Sequence, residues 1–162
     1  VSSGYSHTIQ VYSLNIGGQV VLSRSLYSSI NDLIGCGNCY ENYEVLVSER
    51  LDIKAEWRCF ILYDEIIDVR PYGVLIDPKR KSHLYHYDKY VLLDMLNEFK
   101  NIKNRPSACS MDICVTAEGK TLLTEFNDAY ALGCYGLAPI LYAKLISARW
   151  SQILERPDEY KF

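Results

Sequence analysis

Three polar side chains in the second half of the chain are of the types that hold a divalent cation. Glu125 and Asn127 stand two residues apart in the apolar segment TLLTEFND (121–128), and Asp112 lies in the preceding apolar segment SMDICVT (110–116). Because side chains alternate along a strand, Glu125 and Asn127 share one face. Magnesium is typically held by one or two carboxylates and further hard oxygen ligands. The three residues are therefore candidate magnesium ligands.

A hairpin that reverses at Glu118-Gly119 would bring the two carboxylates together. With a two-residue loop, Asp112 lies directly opposite Glu125. Like charges directly opposite each other destabilise a sheet, and a cation between them reverses that sign. Two alternatives stay open: the carboxylates face water on an exposed sheet face, or a three-residue loop with a bulge shifts the register and breaks the pair. The other face of this hairpin is predicted to be core and carries Met111, Ile113, Val115, Leu122 and Phe126.

The elements around this hairpin are predicted to mix strands and helices. Strands are predicted within 9–24, as a hairpin about Gly17-Gly18, at 43–51, and at 56–76 with a reversal at Asp64-Glu65. Helices are predicted at 25–35 with Ser25 as cap, at 88–103 with Asp88 as cap, and at 137–154 with Pro139 in the first turn. The helix at 88–103 carries Leu92, Met95, Leu96, Phe99 and Ile102 at helical spacing. Antiparallel hairpins with helices between them indicate an α+β fold.

Composition narrows the class of protein. The 162 residues suit one domain, and 49% hydrophobic with 23% charged residues is ordinary for a soluble globular protein. The formal net charge of -3 argues against a nucleic-acid partner. No apolar run approaches the roughly 20 residues that span a bilayer, and no segment has the pattern of a signal peptide. We therefore expect no membrane partner, a cytoplasmic location and reduced thiols for the six cysteines.

Cys36 and Cys39 form a C-x-x-C spacing, which is a zinc or redox spacing. His83 and His86 could complete a four-ligand set if two distant loops met. A zinc-stabilised structural domain is therefore one alternative. Against it, the sequence contains no second C-x-x-C.

Asp112, the segment LLTEFN and the following GCYG together resemble the ATP-grasp superfamily. Other segments resemble parts of that family in the order it requires: SSGYSHTIQV its phosphate-covering glycine loop, VLVSERL its hinge strand, and EWR a segment of its peptide-ligase branches. The resemblance covers roughly residues 1–155. It is greatest to a little-described clade that shares E-x-R-x-F and E-x-N-x-x-x-x-x-G-x-Y-G, and the matching residues here are Glu56, Arg58, Phe60, Glu125, Asn127, Gly133, Tyr135 and Gly136.

The resemblance implies a role for each matching residue. Asp112, Glu125 and Asn127 would ligate the magnesium ions of ATP. Glu56 would bind ribose, and Arg58 would stabilise charge on the transferring phosphoryl group or the tetrahedral intermediate. Arg70, before Pro71-Tyr72, is a further candidate for contact with phosphate or substrate. The remaining nucleotide contacts would be Val47, Ser48, Glu49 and Leu51 at adenine, and Ser3 and Gly4 at the phosphates.

The resemblance also implies a fold and an activity. The fold is the ATP-grasp fold, a mostly antiparallel sheet with flanking helices. The activity is ATP-dependent formation of an amide or similar bond through an acyl phosphate, with ATP and Mg²⁺ (or Mn²⁺) bound between two lobes. Partners would be small-molecule or peptide carboxylates and amines. A nucleotide-binding or degenerate ATP-grasp module without catalysis is the alternative, beside the zinc-stabilised domain.

The implied domain organisation treats 1–162 as one ATP-grasp domain that lacks the family's amino-terminal domain and the first part of its fold. Residues 1–46 would be the remnant of the nucleotide-covering lobe. Residues 47–162 would be the carboxy-terminal lobe with the metal site. The oligomeric state and the identity of the substrates are not implied.

Overall fold

The computed structural model describes residues 9–13, 25–27, 45–48, 51–72 and 84–161. The chain divides into two compact units, Val1–Leu51 and Asp52–Phe162. The boundary predicted between residues 46 and 47 falls inside a strand of the first unit. Over the described ranges, neither helix has the length and apolar character that crossing a membrane requires.

The described part of the first unit is a three-stranded antiparallel sheet. Its strands are β1 (Ile9–Ser13), β2 (Ser25–Tyr27) and β3 (Val45–Ser48), in the order β2-β1-β3. The helix predicted from Ser25 is wrong at its start, because Leu26 pairs with Gln10 of β1 and this backbone pairing overrides local propensity. The rest of that predicted helix and the turn at Gly17-Gly18 lie outside the described residues.

The second unit is built on a four-stranded antiparallel sheet in the order β5-β4-β6-β7. The strands are β4 (Ile53–Leu62), β5 (Glu65–Tyr72), β6 (Ala108–Thr116) and β7 (Thr121–Asp128). The helices are α1 (Lys89–Lys100), between β5 and β6, and α2 (Pro139–Ile153), after β7. The predicted α+β fold with a mostly antiparallel sheet is confirmed.

The turn between β4 and β5 consists of Tyr63 and Asp64. Leu62 pairs with Glu65, so the reversal comes one residue earlier than predicted. Both turn residues have positive φ, 48° and 68°. Two successive left-handed residues give a turn whose twist matches that of the flanking strands, which is the usual geometry of a two-residue hairpin loop.

One face of the sheet forms an apolar core with α1. Asp88 caps this helix as predicted, and its side chain accepts hydrogen bonds from the backbone N–H groups of Tyr90 (2.8 Å) and Val91 (3.4 Å). The helix ends at Lys100, so the predicted inclusion of Ile102 is wrong and that side chain is exposed. The buried members of this core are Cys59, Ile61, Leu92, Leu96, Phe99, Cys109, Met111 and Ile113.

Helix α2 covers part of the opposite face. Its first residue is Pro139, where the missing N–H costs no helical hydrogen bond. Leu145 and Ala148 pack in a second apolar cluster with Phe60 of β4 and Ala108 of β6. The same face carries polar side chains further along the strands, beyond the part that α2 covers.

Candidate functional site

The strand register brings the predicted metal ligands to one face of the second sheet. Asp112 of β6 pairs with Glu125 of β7, so the predicted pairing of these two residues is confirmed. Asn127 pairs with Ser110, two positions along β6 from Asp112 and therefore on the same face. On the other side of Asp112, the register places Arg58 of β4 directly opposite.

This register is reached by a different route from the predicted one. The backbone N–H of Thr116 donates to the carbonyl of Lys120 (3.0 Å), so the loop has three residues, and the predicted two-residue loop is wrong. The register then shifts by one beyond Asp112, where Thr124 is an extra residue on β7. This β-bulge cancels the effect of the longer loop and returns Glu125 to its place opposite Asp112.

The side chain of Thr124 fastens the bulge to the site. Its hydroxyl donates to the backbone carbonyl of Asp112 at 3.0 Å, and the side chain is buried. Because an unpaired residue in a ladder leaves backbone groups without ladder partners, a side-chain bond at this point stabilises the shifted register.

Arg58 and Asp112 form a buried two-point ion pair. The Arg58 Nε donates to Asp112 Oδ1 at 2.8 Å and the Nη2 donates to Oδ2 at 2.6 Å. The two side chains are only 6% and 1% exposed. Paired, charge-assisted bonds of this kind fix both groups in one orientation. The guanidinium carbon also lies 4.5 Å from the ring centre of Tyr135.

Glu125 is electrostatically coupled to this pair. Burial, then the negative charge of Asp112 and a hydrogen bond with it, raise the Glu125 pKa to about 7, and Asn127 and Arg58 act in the opposite direction. The amide Nδ2 of Asn127 lies 3.5 Å from Asp112 Oδ2. Two facing carboxyl groups in a half-buried site cannot both ionise without cost, so Glu125 retains a proton well above its ordinary range.

The donor set fits a divalent cation that also takes oxygens from its substrate. Asp112 accepts two bonds from Arg58, yet a carboxylate has about four lone-pair sites and keeps acceptor capacity. Within the described ranges, no group of three or more His, Cys, Asp or Glu side chains is arranged to hold a metal ion. Two carboxylates with Asn127 and substrate phosphates correspond to the coordination that magnesium favours.

Ser110 adds an unusual polar group to the same face. Its side chain is fully buried, and among the described residues its hydroxyl has no hydrogen-bond partner. Buried hydroxyl groups are nearly always paired, because an unpaired one costs about 1–3 kcal/mol. Ser110 stands beside Asn127 in the register, so this hydroxyl belongs to the same polar region.

Two further predicted site residues lie on these strands. Glu56 of β4 is buried and, two positions before Arg58, shares its face. Arg70 of β5 is directly opposite Arg58, but its Nη2 lies 2.6 Å from Asp68 and its side chain is 40% exposed. The structure thus places Glu56 near the polar cluster and gives Arg70 an exposed ion pair of its own.

The predicted adenine and phosphate residues belong to the first unit. Val47 and Ser48 lie in β3, and Leu51 is the last residue of that unit. Ser3, Gly4 and Glu49 lie outside the described residues. Their roles stay predictions.

The thiols that the structure describes are free. Cys59, Cys109 and Cys114 are buried and Cys134 is exposed. Burial, with a contribution from Asp112, raises the Cys59 pKa to about 12, so this thiol is protonated and unreactive. Three of the proposed zinc ligands, Cys36, Cys39 and His83, lie outside the described residues, and His86 is exposed.

Sequence reasoning missed the direct pairing of Arg58 with Asp112 and the structural role of Thr124. It assigned Arg58 to substrate and Asp112 to metal without connecting them. The connection depends on the β4–β6 register, which joins residues 54 positions apart. The only local signal was the alternation that places Glu56 and Arg58 on one strand face.

Comparison with known families agrees with this geometry. The model of a family described as an ATP-grasp domain, the second family of its clade, matches residues 11–145. The chain belongs to this family. As a member of the ATP-grasp superfamily, it is an ATP-binding domain of the ligase type, and the matched range includes Arg58, Asp112, Glu125 and Asn127. No curated protein and no solved structure matches the chain significantly.

Proposed function

We propose that this ATP-grasp domain joins a carboxylate to an amine at the expense of ATP. A carboxylate oxygen of the first substrate attacks the γ-phosphorus of ATP, forming an acyl phosphate and releasing ADP. The nitrogen of the second substrate then attacks the acyl carbon. Phosphate leaves with the bonding electron pair, a proton leaves the nitrogen, and an amide remains. Atoms and charge balance without any covalent intermediate on the protein.

One observation carries this proposal: Arg58, Asp112, Glu125 and Asn127 lie on one face of three adjacent strands. Asp112, Glu125 and Asn127 would hold magnesium, which neutralises charge on the nucleotide phosphates when bound. Arg58 would supply fixed donors to the charge that develops on the transferring phosphoryl group. Arg70, on the neighbouring strand, would contact phosphate or substrate.

The nucleotide contacts extend the proposal to the other predicted residues. Glu56, buried on the same face as Arg58, would accept hydrogen bonds from the ribose hydroxyl groups. Val47, Ser48, Glu49 and Leu51 would contact adenine mainly through backbone groups, and Ser3 and Gly4 would offer backbone amides to the phosphates. Mn²⁺ would serve in place of Mg²⁺, because both take oxygen ligands.

Thermal unfolding with Mg-ADP tests the binding half of the proposal. A ligand that binds only the folded state, at about one hundred times its Kd, stabilises it by about 2.7 kcal/mol. We expect the Tm to rise with Mg-ADP, to rise less with ADP and EDTA, and to lose the magnesium-dependent part in Glu125→Gln. The matched control is Glu118→Gln, an exposed glutamate in the loop of the same hairpin. An unchanged Tm in the wild type contradicts the proposal.

Trapping tests the catalytic half. The domain is incubated with Mg-ATP, hydroxylamine and a panel of amino-acid, peptide and dicarboxylic acids. Hydroxylamine intercepts an acyl phosphate as a hydroxamate, and we expect one class of acid to give hydroxamate together with an equal amount of ADP. Formation of ADP without hydroxamate from any acid would contradict the acyl-phosphate step.

One feature favours a second candidate, a nucleotide-binding module without catalysis. Both oxygens of Asp112 accept hydrogen bonds from Arg58, so the same bonds that orient the arginine also occupy the proposed metal ligand. A domain in which this pair is purely structural would bind Mg-ADP weakly through Glu125 and Asn127. It would show the thermal shift and release neither ADP nor hydroxamate in the trapping assay.

A further inference from the structure

The connection between β7 and α2 contains a short glycine loop, Gly133–Gly136, that brings an aromatic ring onto the site. The ring centre of Tyr135 lies 4.5 Å from the guanidinium carbon of Arg58. Tyr135 is 45% exposed, whereas Arg58 is buried. The ring therefore covers one planar face of the guanidinium, while Asp112 holds its edge.

The backbone of this loop is shaped to hold the ring there. Tyr135 has φ 42° and Gly136 has φ 85°, so two successive residues are left-handed. A non-glycine residue in this region costs roughly 1 kcal/mol, and such conformations concentrate at functional sites. The chain accepts this cost at the one aromatic residue of the loop.

Gly133 is required for a separate reason. A Cβ at this position would lie 2.7 Å from Cε2 of the Tyr135 ring, closer than carbon atoms can approach. The ring thus occupies the space that any other residue at 133 would fill. The G-x-Y-G pattern is explained by this packing: one glycine admits the ring and the other completes the left-handed turn.

We propose that Tyr135 is a positioning residue that fixes the plane of Arg58 for the γ-phosphoryl group. Cation–π stacking on one face and the two Asp112 bonds at the edge leave the guanidinium a single orientation. Arginine donors that are fixed in advance stabilise developing charge better than donors that must reorient. This inference rests on the proposed function, and it assigns to the loop a role in phosphoryl recognition.

The first test compares two magnesium nucleotides by calorimetry. Tyr135→Ala removes the stacking surface, and we expect the affinity for Mg-AMPPNP to fall about tenfold while that for Mg-ADP changes by less than about twofold. Tyr135→Phe keeps the ring and restores the wild-type ratio. Gly133→Ala keeps the tyrosine but displaces it, and it should reproduce the loss seen in Tyr135→Ala. The control is Tyr130→Ala, which removes an equally exposed tyrosine from the same connection.

The second test needs no nucleotide. In the ¹⁵N NMR spectrum, the stacked ring should shift the Arg58 Nε–H resonance upfield and slow its exchange with water. Both signatures should persist in Tyr135→Phe and disappear in Tyr135→Ala and Gly133→Ala. An Arg58 resonance that is unchanged in Tyr135→Ala overturns the positioning role, as does equal loss of both nucleotides with the resonance shifted.

The two tests separate this inference from the proposed function. Wild-type protein that binds neither nucleotide, with an Arg58 signal that responds to Tyr135, refutes the ligase proposal and with it any phosphoryl role of the loop. Binding of both nucleotides with equal affinity in every variant leaves the ATP-binding function intact and refutes the role of Tyr135.

Discussion

At the scale of single residues, Glu125 is the carboxyl group of the site whose titration moves towards neutral pH. Its pKa in the folded protein is raised from 4.5 to about 7, chiefly by burial and by the facing Asp112. Between those two values the folded protein holds a proton that the unfolded chain has released. The free energy of unfolding of the ligand-free protein should therefore fall as the pH rises from about 4.5 to about 7.

Glu125→Gln should flatten this dependence, because the amide does not titrate. Urea unfolding at about pH 5 and about pH 7.5 measures the difference for both proteins. A wild-type slope that survives unchanged in the variant would show that another group is responsible. Magnesium with ADP should also reduce the slope, since a cation between the carboxylates favours their ionised forms.

A second residue-scale prediction concerns the two arginines that face each other across β4 and β5. Arg58→Ala leaves Asp112 buried without its cation, which should destabilise the fold by about 3–5 kcal/mol. Arg70→Ala removes an exposed pair with Asp68 and should cost less than about 1 kcal/mol. Chemical denaturation of both variants checks the contrast. Similar losses would mean that the burial of the Arg58 pair does not govern its contribution.

At the scale of elements, local patterns predicted most of the second unit. The alternation in β4, β6 and β7, the Asp88 cap of α1 and Pro139 at the start of α2 are signals contained within a few neighbouring residues. Pairing between distant strands is not. The contact of Arg58 with Asp112 depends on the β4–β6 register, and no spacing in the sequence specifies it. Strand β2 was mistaken for helix for the same reason, because its partner β1 is distant in sequence.

The β6–β7 hairpin shows how a correct prediction can rest on a wrong detail. The two-residue loop predicted the Asp112–Glu125 pair, while the actual three-residue loop alone would have broken it. The bulge at Thr124 corrects the offset. A bulge depends on where a side chain finds a buried partner, here the Asp112 carbonyl, and loop composition does not reveal that.

The bulge leads to an element-scale prediction. Thr124→Val keeps the shape of the buried side chain and removes its bond to the Asp112 carbonyl, so we expect a loss of about 1–2 kcal/mol. Because the bulge sets the register at the site, the magnesium-dependent part of the Mg-ADP thermal shift should fall as well. Thr116→Val is the control: its hydroxyl accepts a bond from Lys120 near the turn, away from the bulge. Equal loss of the magnesium effect in both variants would contradict the role given to the bulge.

At the scale of the whole molecule, the second unit combines a rigid centre with a site placed beside it. All nine residues of β6 are buried, and the strand pairs with β4 on one side and β7 on the other. Among the described strands, β7 pairs with β6 alone and β5 with β4 alone. Asp112 lies on the central strand, while Glu125 and Asn127 lie on the outer one. The proposed metal ligands thus come from strands of unequal stability.

Native-state hydrogen exchange should make this difference measurable. Amides of β6 should exchange only through global unfolding, and those of β7 should also exchange through local opening, because fewer ladder bonds must break. Mg-ADP at about one hundred times its Kd should slow exchange in β6 about a hundredfold, since it stabilises the folded state as a whole. In β7 the slowing should be larger if the ligand also suppresses local opening by joining Glu125 and Asn127 to Asp112. Protection that grows in β6 but not in β7 would place the nucleotide elsewhere in the fold and would refute the metal role of the outer strand.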